Sequence, residues 1–443
     1  MREVDHQLTE ASPVAASPVS GAERFASLDT LRGVAILGIL VMNIYAFAMP
    51  FAAYSNPMAM GGTDYRNVAI WFFTHFFFDQ KFLSIFAMLF GAGVVLIADH
   101  AEQRGAGSVR LHYRRQFVLL VLGALHAYLL WVGDILFAYA AVGMLVYPFR
   151  KLMPRMLIII ACLMLPITFA AMHGFSYVIE DMQVKAADYQ ARVAAGETLD
   201  ENQKKILERW DASRSFMAPE PEDLQVDIQA YRSGYPEIVL YRAPVVLSMQ
   251  QGMLLLFSWR IAALMFIGMA LMKLGILSGR RPVNFYRRLT FAAYGLGLPL
   301  TVFSGFNLFV HDFDPIFAAR YGMAANYFGS ILVALGHIGS VMLVLKAGLW
   351  QRLMDRFAAV GRMALTNYLM HSLILTTVFY GYGLGLYAQL SRTSQMGLVI
   401  VVIAIQLLLS PWWLGRYRFG PVEWLSRSLT YWRRQPMRRE IVI

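Results

Sequence analysis

Apolar runs of membrane-spanning length recur along the whole chain and constrain its fold more than any other feature. A helix that crosses the hydrocarbon core of a bilayer needs about 17–25 predominantly apolar residues. The 443-residue sequence is 58% hydrophobic and only 15% charged, whereas an ordinary soluble domain is about 25% charged. The sequence therefore predicts an all-α, polytopic helical membrane protein. Its ten predicted transmembrane helices span approximately 31–50, 80–98, 115–132, 134–149, 154–172, 252–273, 288–309, 326–346, 363–386 and 396–413.

Basic residues in the short connections indicate how these helices are oriented. Arginine and lysine concentrate in every second connection, for example Arg104 and Arg110 before the third span and Arg280 and Arg281 before the seventh. Because cytoplasmic loops carry an excess of Lys and Arg, both termini are predicted to be cytoplasmic. The net charge of +11 then reflects membrane topology, and no basic run marks a separate nucleic-acid-binding domain. We expect membrane lipids as partners and no nucleic acid.

The connection 173–250 is the longest and differs from the others in composition. It holds 13 of the 28 acidic residues against 8 basic ones, and the predicted topology puts it outside. Its polar stretches have helix-forming composition, so we expect a helical loop or cap over the outer mouth of the bundle. The predicted divisions are a disordered cytoplasmic tail (1–28), five transmembrane helices (29–172), the extracytoplasmic cap (173–250), five more transmembrane helices (251–413) and a basic cytoplasmic tail (414–443).

Residues 27–33 carry an acid and an arginine into the first apolar run. A buried charge in hydrocarbon is unfavourable unless it is paired or faces water, so Arg32 is a candidate functional residue. The alternative is that Arg32 reaches back to the lipid headgroups beside Asp29. The predicted orientation puts Arg32 on the cytoplasmic side, as it does Arg114 and Arg115 at the start of the third span.

His126 and Asn43 are predicted to lie at similar depth, near the middle of the membrane. His126 follows Arg115 by eleven residues and Asn43 follows Arg32 by eleven, which is roughly 16 Å of helix in each case. A histidine can exchange a proton near neutral pH, and an amide beside it could donate a hydrogen bond to a developing oxyanion. The alternative is that both residues form interhelical hydrogen bonds that hold the bundle together.

Asp134 follows the hairpin that joins the third and fourth spans. An acid at the start of a helix can cap its free amides and interacts favourably with the helix dipole. The functional alternative is that Asp134 orients His126 or binds an acceptor hydroxyl. Eight residues across a turn do not require a contact between Asp134 and His126, so we expect capping without direct pairing.

Four further polar residues interrupt predicted spans. Arg260 needs an anion or a ring of carbonyl groups. Asp29, Asp79 and Asp134 are the acids near the ends of the spans, and depth argues against Asp29. His337 has small neighbours and is expected to be a packing residue with one hydrogen bond. Asn367 and His371 are spaced i, i+4 and face the same way, so they either line a site or bond neighbouring helices.

Several common chemistries lack their sequence motifs. The single cysteine, Cys162, lies in an apolar run, so neither an internal disulfide nor a cysteine metal cluster is expected. No His/Asp/Glu cluster has metal-ligand spacing, and we expect no metal. Gly381, Gly383 and Gly385 do not follow a strand and therefore do not form a nucleotide-binding fingerprint.

Six motifs are spread over nearly the whole chain, at residues 27–33 with Asn43, 81–93, 123–136, 361–369, 379–386 and 418–431. They resemble those of the YeiB-like bacterial membrane proteins, which carry the domain of unknown function 418. The resemblance implies a multi-pass protein of the bacterial inner (cytoplasmic) membrane.

The first helix also resembles that of the transmembrane acyltransferases, which take acyl groups from cytoplasmic acyl-CoA. The glycan O-acetylases in that group place a histidine eleven residues after the arginine, where this chain has Asn43. The resemblance implies acyl-CoA as co-substrate, with its phosphates on Arg32, Arg114 and Arg115, and an envelope glycan or lipid as acceptor. His126 is then the expected base, and Asn43 is the expected oxyanion donor.

Two alternatives stay open. In a secondary transporter or permease for an anionic small molecule, Arg260, His337 and His371 would line the path of the solute. In a non-catalytic scaffold for envelope assembly, these polar residues would tolerate substitution. The predicted cap and the arrangement of Arg32, Asn43 and His126 favour acyl transfer.

Overall fold

Helices form the fold throughout the described part of the chain, which comprises residues 26–60, 64–105 and 107–439 of a computed structural model. Most of the predicted N-terminal tail falls outside these residues, but its last three belong to the first helix. Within the described ranges no strand forms, apart from an isolated bridge between Tyr417 and Arg438. The all-α prediction is therefore confirmed. The helices are α1 (Ala26–Ala48), α2 (Ala52–Ser55), α3 (Tyr65–Phe77), α4 (Lys81–Gln103), α5 (Ser108–Leu125), α6 (Leu136–Val146), α7 (Pro154–Ala194), α8 (Glu201–Met217), α9 (Pro221–Tyr231), α10 (Tyr235–Gly252), α11 (Ser258–Lys273), α12 (Val283–Val310), α13 (Pro315–Phe317), α14 (Ala324–Lys346), α15 (Gln351–Arg362), α16 (Ala364–Phe379), α17 (Arg392–Arg416) and α18 (Pro421–Tyr431).

Seven helical stretches in the described ranges are long and apolar enough to cross a membrane. The predicted third, fourth and ninth spans coincide instead with α5, α6 and α16, which are shorter or more polar. The membrane class is thus confirmed, and the count of ten spans stays a prediction. The seven stretches are Ala26–Ala48, Tyr65–Gln103, Pro154–Ala194, Tyr235–Lys273, Val283–Val310, Ala324–Lys346 and Arg392–Arg416.

Helix α1 lies in the core and makes a backbone contact with α15. A side chain at Gly33 would overlap the carbonyl oxygen of Phe357, and one at Gly361 would overlap that of Asp29. Two helices can approach this closely only where both present glycine. The crossing brings the start of α1, with its arginine, against the end of α15.

The connection 173–250 is largely helical, as its composition predicts. Helix α7 has 41 residues and is therefore roughly 60 Å long, about twice the thickness of the hydrocarbon core. Helices α8 and α9 follow, and α10 covers the last part of the connection. Arg232 donates hydrogen bonds to the carbonyl oxygen of Tyr387 at 2.6 and 3.0 Å, and the Tyr387 hydroxyl donates to Asp227 at 2.9 Å. These bonds attach the connection to the turn between α16 and α17.

Candidate functional site

His126 is hydrogen-bonded to two side chains inside the bundle. Its Nδ1 lies 2.6 Å from Asp134 Oδ2, and its Nε2 lies 2.7 Å from Ser372 Oγ. His126 is 2% and Ser372 1% exposed, and the Asp134 side chain is also buried. An ionised carboxylate accepts a hydrogen bond from Nδ1–H, which leaves Nε2 to accept a hydrogen bond from the serine O–H. A carboxylate, an imidazole and a hydroxyl in this order can activate the hydroxyl as a nucleophile.

A wide helical turn positions His126. Residues 126–130 at the end of α5 form a π-helical turn, and the N–H of Trp131 donates to the carbonyl oxygen of His126 at 2.9 Å. The Trp131 ring stacks on Phe47 of α1 at a centroid distance of 4.0 Å, which fixes the end of this turn. Such turns are rare in proteins, and those that are found lie frequently at functional sites.

Asp134 both caps a helix and contacts His126. Its Oδ1 accepts the N–H of Phe137 at 2.8 Å, which is the capping contact expected at the start of α6. Its second oxygen makes the direct contact with His126 that the spacing did not lead us to expect. A side chain at Gly123, one turn before His126, would overlap the Phe137 nitrogen and lie 2.9 Å from Asp134 Oδ1. Glycine at position 123 thus allows α6 to approach closely enough for this contact.

Asn43 lies on α1, one turn before the Phe47 ring that stacks on Trp131. It is buried, and residues four apart share a helix face. Within the described residues no hydrogen bond joins Asn43 to His126. The oxyanion role of Asn43 therefore stays a prediction.

A cavity of about 300 Å³ lies next to the Asp134–His126–Ser372 group, at the end of the bundle that the charge pattern assigns to the cytoplasm. Its lining contains four arginines and two acids, Asp29 and Glu423, so the positive charges exceed the negative ones by two. Its apolar walls include Phe86, Leu89 and Phe90. The cavity therefore suits a ligand with an anionic and an apolar part. The arginines are Arg32, Arg115, Arg362 and Arg427.

Arg115 faces the cavity, whereas its neighbour Arg114 does not. The buried Nη1 of Arg115 has no hydrogen-bond partner in the part of the chain that the structure describes. The guanidinium of Arg115 lies 5.6 Å from the centroid of the Phe90 ring in the cavity wall. The guanidinium of Arg114 lies 5.2 Å from the centroid of the Trp432 ring, outside the lining, and its buried Nε also has no hydrogen-bond partner among the described residues. Arg32 also faces the cavity and pairs with Asp29 at 3.2 Å.

Tyr368 lies between the cavity and His126. Its ring lines the cavity, and its centroid is 5.1 Å from that of the His126 ring. Its hydroxyl accepts the N–H of Ile135 at 3.2 Å. Ser372 follows Tyr368 by one turn on the same face of α16. Tyr368 therefore borders both the cavity and His126.

The predicted basic tail contributes to the site through α18. The Oε1 of Glu423 accepts the N–H of Leu365 at 2.6 Å and that of Thr366 at 3.0 Å. These are free amides at the start of α16, so Glu423 caps the helix that carries Tyr368 and Ser372. Burial raises the pKa of the Glu423 carboxyl above its ordinary value.

A second polar cluster surrounds Lys81. Its ammonium donates to the carbonyl oxygen of His75 and to Asn326 Oδ1, the latter at 2.7 Å. The amide of Asn326 donates in turn to Asp79 Oδ2 at 2.7 Å. All four residues are buried. The charged interruption 79–81 in the sequence was the signal for this cluster, but nothing in the sequence pairs it with Asn326.

Arg260 is satisfied by oxygen atoms of α14. Its Nη1 donates to the carbonyl oxygen of Tyr327 at 2.7 Å, and its Nη2 donates to Ser330 Oγ at 2.9 Å. The guanidinium also lies 4.3 Å from the centroid of the Tyr327 ring. Neither expectation for Arg260 is met in full, because one carbonyl oxygen and a serine hydroxyl take the place of the expected anion or ring of carbonyl groups.

The other polar residues predicted within the spans have local partners on neighbouring elements. No hydrogen bond in the described ranges links Arg260, His337 and His371 to one another. The observed contacts include Tyr294 Oη to His337 Nδ1 at 2.6 Å, His371 Nε2 to Gln406 Oε1 at 2.8 Å, and Asn367 Nδ2 to the carbonyl oxygen of Val360 at 3.1 Å. His337 Nε2 also lies 2.9 Å from the carbonyl oxygen of Phe77, so His337 has two hydrogen bonds and not the single one expected.

Sequence reasoning did not single out Ser372 or Tyr368. They have the same i, i+4 spacing as Asn367 and His371, shifted by one residue. The sequence therefore contained the pattern of a second polar face on this span. A serine inside an apolar run is, however, an ordinary residue in membrane helices.

This fold and site define a polytopic helical membrane protein with a buried Asp–His–Ser group beside a cationic cavity. The family described as "Protein of unknown function (DUF418)" matches residues 271–433. The chain is 32% identical to "Uncharacterized protein YeiB" of Escherichia coli (strain K12), over 92% of this chain and 96% of the relative. It is 30% identical to "Uncharacterized protein YxaH" of Bacillus subtilis (strain 168), over 96% and 98%.

The chain therefore belongs to the YeiB-like DUF418 family, which confirms the resemblance predicted from its motifs. No solved structure matches it significantly.

Proposed function

We propose that this protein is an acyltransferase of the bacterial inner membrane, which moves an acyl group from cytoplasmic acyl-CoA to a cell-envelope acceptor. The observation that carries the proposal is the hydrogen-bonded Asp134–His126–Ser372 group beside the cationic cavity, with Tyr368 between them. A candidate general base and a candidate site for an anionic donor thus lie side by side.

The cavity is suited to the charge and shape of acyl-CoA. Acyl-CoA carries several negative charges on its phosphates. A guanidinium group binds a phosphate through two parallel N–H···O hydrogen bonds. In the proposal the phosphates lie near Arg32, Arg115, Arg362 and Arg427, and the pantetheine arm lies against the apolar wall. A volume of about 300 Å³ is at the lower end of ordinary ligand pockets, so the nucleotide part would remain near the mouth.

His126 acts as the general base in this proposal. Its Nε2 takes a proton from the attacking hydroxyl, while Asp134 holds the tautomer and stabilises the imidazolium that forms. Asn43 is the candidate donor to the oxyanion. The connection 173–250 would shape the access of the acceptor from the opposite side.

The test is acyl transfer by the purified full-length protein in lipid nanodiscs. Radiolabelled acetyl-CoA and a bacterial envelope fraction are supplied, and label in extracted glycans and lipids is measured. We expect transfer by the wild type and a large loss in His126→Gln. Ser304→Ala is the matched control, because Ser304 is buried in α12 and donates to the carbonyl oxygen of Gly322. Equal transfer by His126→Gln would contradict the assignment of the base.

Transport of an anionic small molecule is the second candidate. The observation that favours it is the pair of buried cations Lys81 and Arg260, near which Asp79 is the one acid of the cluster. Counterflow of labelled acetate or phosphate in proteoliposomes, lost in Arg260→Gln, would support it. Envelope labelling without counterflow would support acyl transfer.

A further inference from the structure

We propose that Ser372 carries the acyl group covalently, as an ester on its Oγ, between the donor and the acceptor. The inference rests on the proposed acyl transfer and specifies its route. Transfer then takes place in two steps through an acyl-enzyme, rather than directly from acyl-CoA to the acceptor.

The hydrogen-bonding of Ser372 sets it apart from the other buried serines. Ser304 donates to the carbonyl oxygen of Gly322 at 2.7 Å, and Ser330 donates to that of Tyr327 at 3.2 Å. Ser372 Oγ instead lies 2.7 Å from an imidazole nitrogen, and the other nitrogen of that ring is held by a carboxylate. In the described part of the chain no other serine is hydrogen-bonded to a histidine ring.

The contact of the imidazole is with a hydroxyl of the protein, and this favours the covalent route. A base that served the acceptor directly would need a free Nε2 turned toward the acceptor. Here Nε2 is occupied by Ser372, which is 1% exposed. The proton that His126 is placed to remove is therefore that of Ser372 Oγ, and a hydroxyl losing its proton to a base becomes a nucleophile.

In the first step the thioester is exchanged for a serine ester. Ser372 Oγ forms a bond to the thioester carbonyl carbon as its proton passes to His126 Nε2. The carbon–sulfur bond then breaks, and the sulfur takes the proton from His126 and leaves as CoA thiol. The acyl group stays on Ser372, and no oxidant or reductant is required.

In the second step an acceptor hydroxyl attacks the ester carbonyl. His126 removes the proton of that hydroxyl, the bond between the carbonyl carbon and Ser372 Oγ breaks, and the proton passes to Oγ. The serine is regenerated and the acceptor carries the acyl group. Burial protects the ester from water between the two steps.

The position of Ser372 suits a donor and an acceptor that arrive from opposite ends. Tyr368 lies one turn from Ser372 on the side of the cationic cavity, and Thr376 lies one turn away in the other direction, where its hydroxyl donates to the carbonyl oxygen of Ser372. An intermediate on the middle of α16 separates the two encounters in time. Donor and acceptor then never need to occupy the site together.

The experiment traps the intermediate in the absence of acceptor. Full-length protein in nanodiscs is incubated with labelled acetyl-CoA or palmitoyl-CoA, denatured, and digested for mass spectrometry, and CoA binding is measured in parallel. We expect label on the peptide that contains Ser372, up to one acyl group per chain, and its removal by alkaline hydroxylamine. The label should disappear in Ser372→Ala, persist in Ser304→Ala, and become a thioester in Ser372→Cys.

The outcomes separate the two proposals. Transfer to envelope material without label on Ser372, or undiminished transfer by Ser372→Ala, would overturn the acyl-serine and leave the acyltransferase standing. Absence of both CoA binding and transfer in the wild type would overturn both. If Ser372→Ala binds CoA with unchanged affinity but loses at least 100-fold in transfer, with the wild type labelled, the route through Ser372 is supported.

Discussion

Glu423 accepts the backbone N–H of Thr366 at 3.0 Å, so a side chain from the C-terminal helix caps the helix that carries Ser372. Glu423 is partly buried and also lines the cationic cavity. Its protonation is therefore coupled to the stability of the end of α16 that faces this cavity.

Stability should depend on pH through Glu423. Burial raises the folded-state pKa of Glu423 above the ordinary 4.5. The stabilisation of the fold by protonated Glu423 is therefore fully present below about pH 4.5, and it is lost as the pH rises through the folded-state pKa. We expect the melting temperature of the wild type to fall, relative to that of Glu423→Gln, between pH 4.5 and 8. Tryptophan fluorescence of the detergent-solubilised protein measures both.

Glu423→Ala is the matched variant for the capping contacts. It removes the acceptor of the Leu365 and Thr366 amides and should destabilise the fold by about 1 kcal/mol. If the melting temperatures of the wild type and of Glu423→Gln change in parallel between pH 4.5 and 8, Glu423 does not titrate in that range.

Arg115 should contribute to CoA binding and Arg114 should not. Loss of a charge-assisted contact to phosphate costs about 1.5–3 kcal/mol, so Arg115→Ala should raise the Kd for CoA roughly 10- to 100-fold. Arg114→Ala removes the same charge one residue away, outside the cavity lining. Equal losses in the two variants, measured by isothermal titration in nanodiscs, would mean that net charge rather than the cavity governs binding.

Asp134→Asn should separate helix capping from catalysis. Asparagine still caps α6, but it cannot stabilise an imidazolium at His126. We expect a melting temperature close to that of the wild type and a loss of transfer of about 100- to 10,000-fold, the range of general acid–base catalysis. A loss of less than tenfold in labelled acyl transfer would exclude a role for the carboxylate in the reaction.

Gly123→Ala should disturb the contact between α5 and α6. The added methyl group would overlap the Phe137 nitrogen and approach Asp134 Oδ1, and such overpacking typically costs about 1–3 kcal/mol. Gly295→Ala is the control, because the same change in α12 meets no atom within 4 Å and should leave stability unchanged or raised by up to about 1 kcal/mol. Thermal unfolding compares the two, and equal melting temperatures would show that the helices can separate without loss.

The membrane class could be predicted from the sequence because the length and polarity of an apolar run are local properties. Likewise, the helix-forming composition of 180–194 and 201–210 predicted helices there without any tertiary information, and α7 and α8 cover these ranges. The predicted depth of His126 depended only on helix rise from Arg115.

The partners of His126 could not be predicted in the same way. Ser372 is 246 positions away, and its contact depends on how α5 and α16 pack. Asp134 was close in sequence, but its contact depends on the π-helical turn at 126–130 and on the absence of a side chain at Gly123. Arg114 and Arg115 looked equivalent because both precede the span, yet successive helix residues point about 100° apart.

The Lys81–Asn326 hydrogen bond has a consequence for biogenesis. Its two residues are 245 positions apart, so the ribosome completes α4 long before α14 exists. Lys81 is the first residue of α4, and a buried charge in a membrane is unfavourable unless it is paired. The carbonyl oxygen of His75 is present early, but the amide oxygen of Asn326 is not. The hydrogen bonding of the Lys81 ammonium group is therefore completed only after α14 has been synthesised.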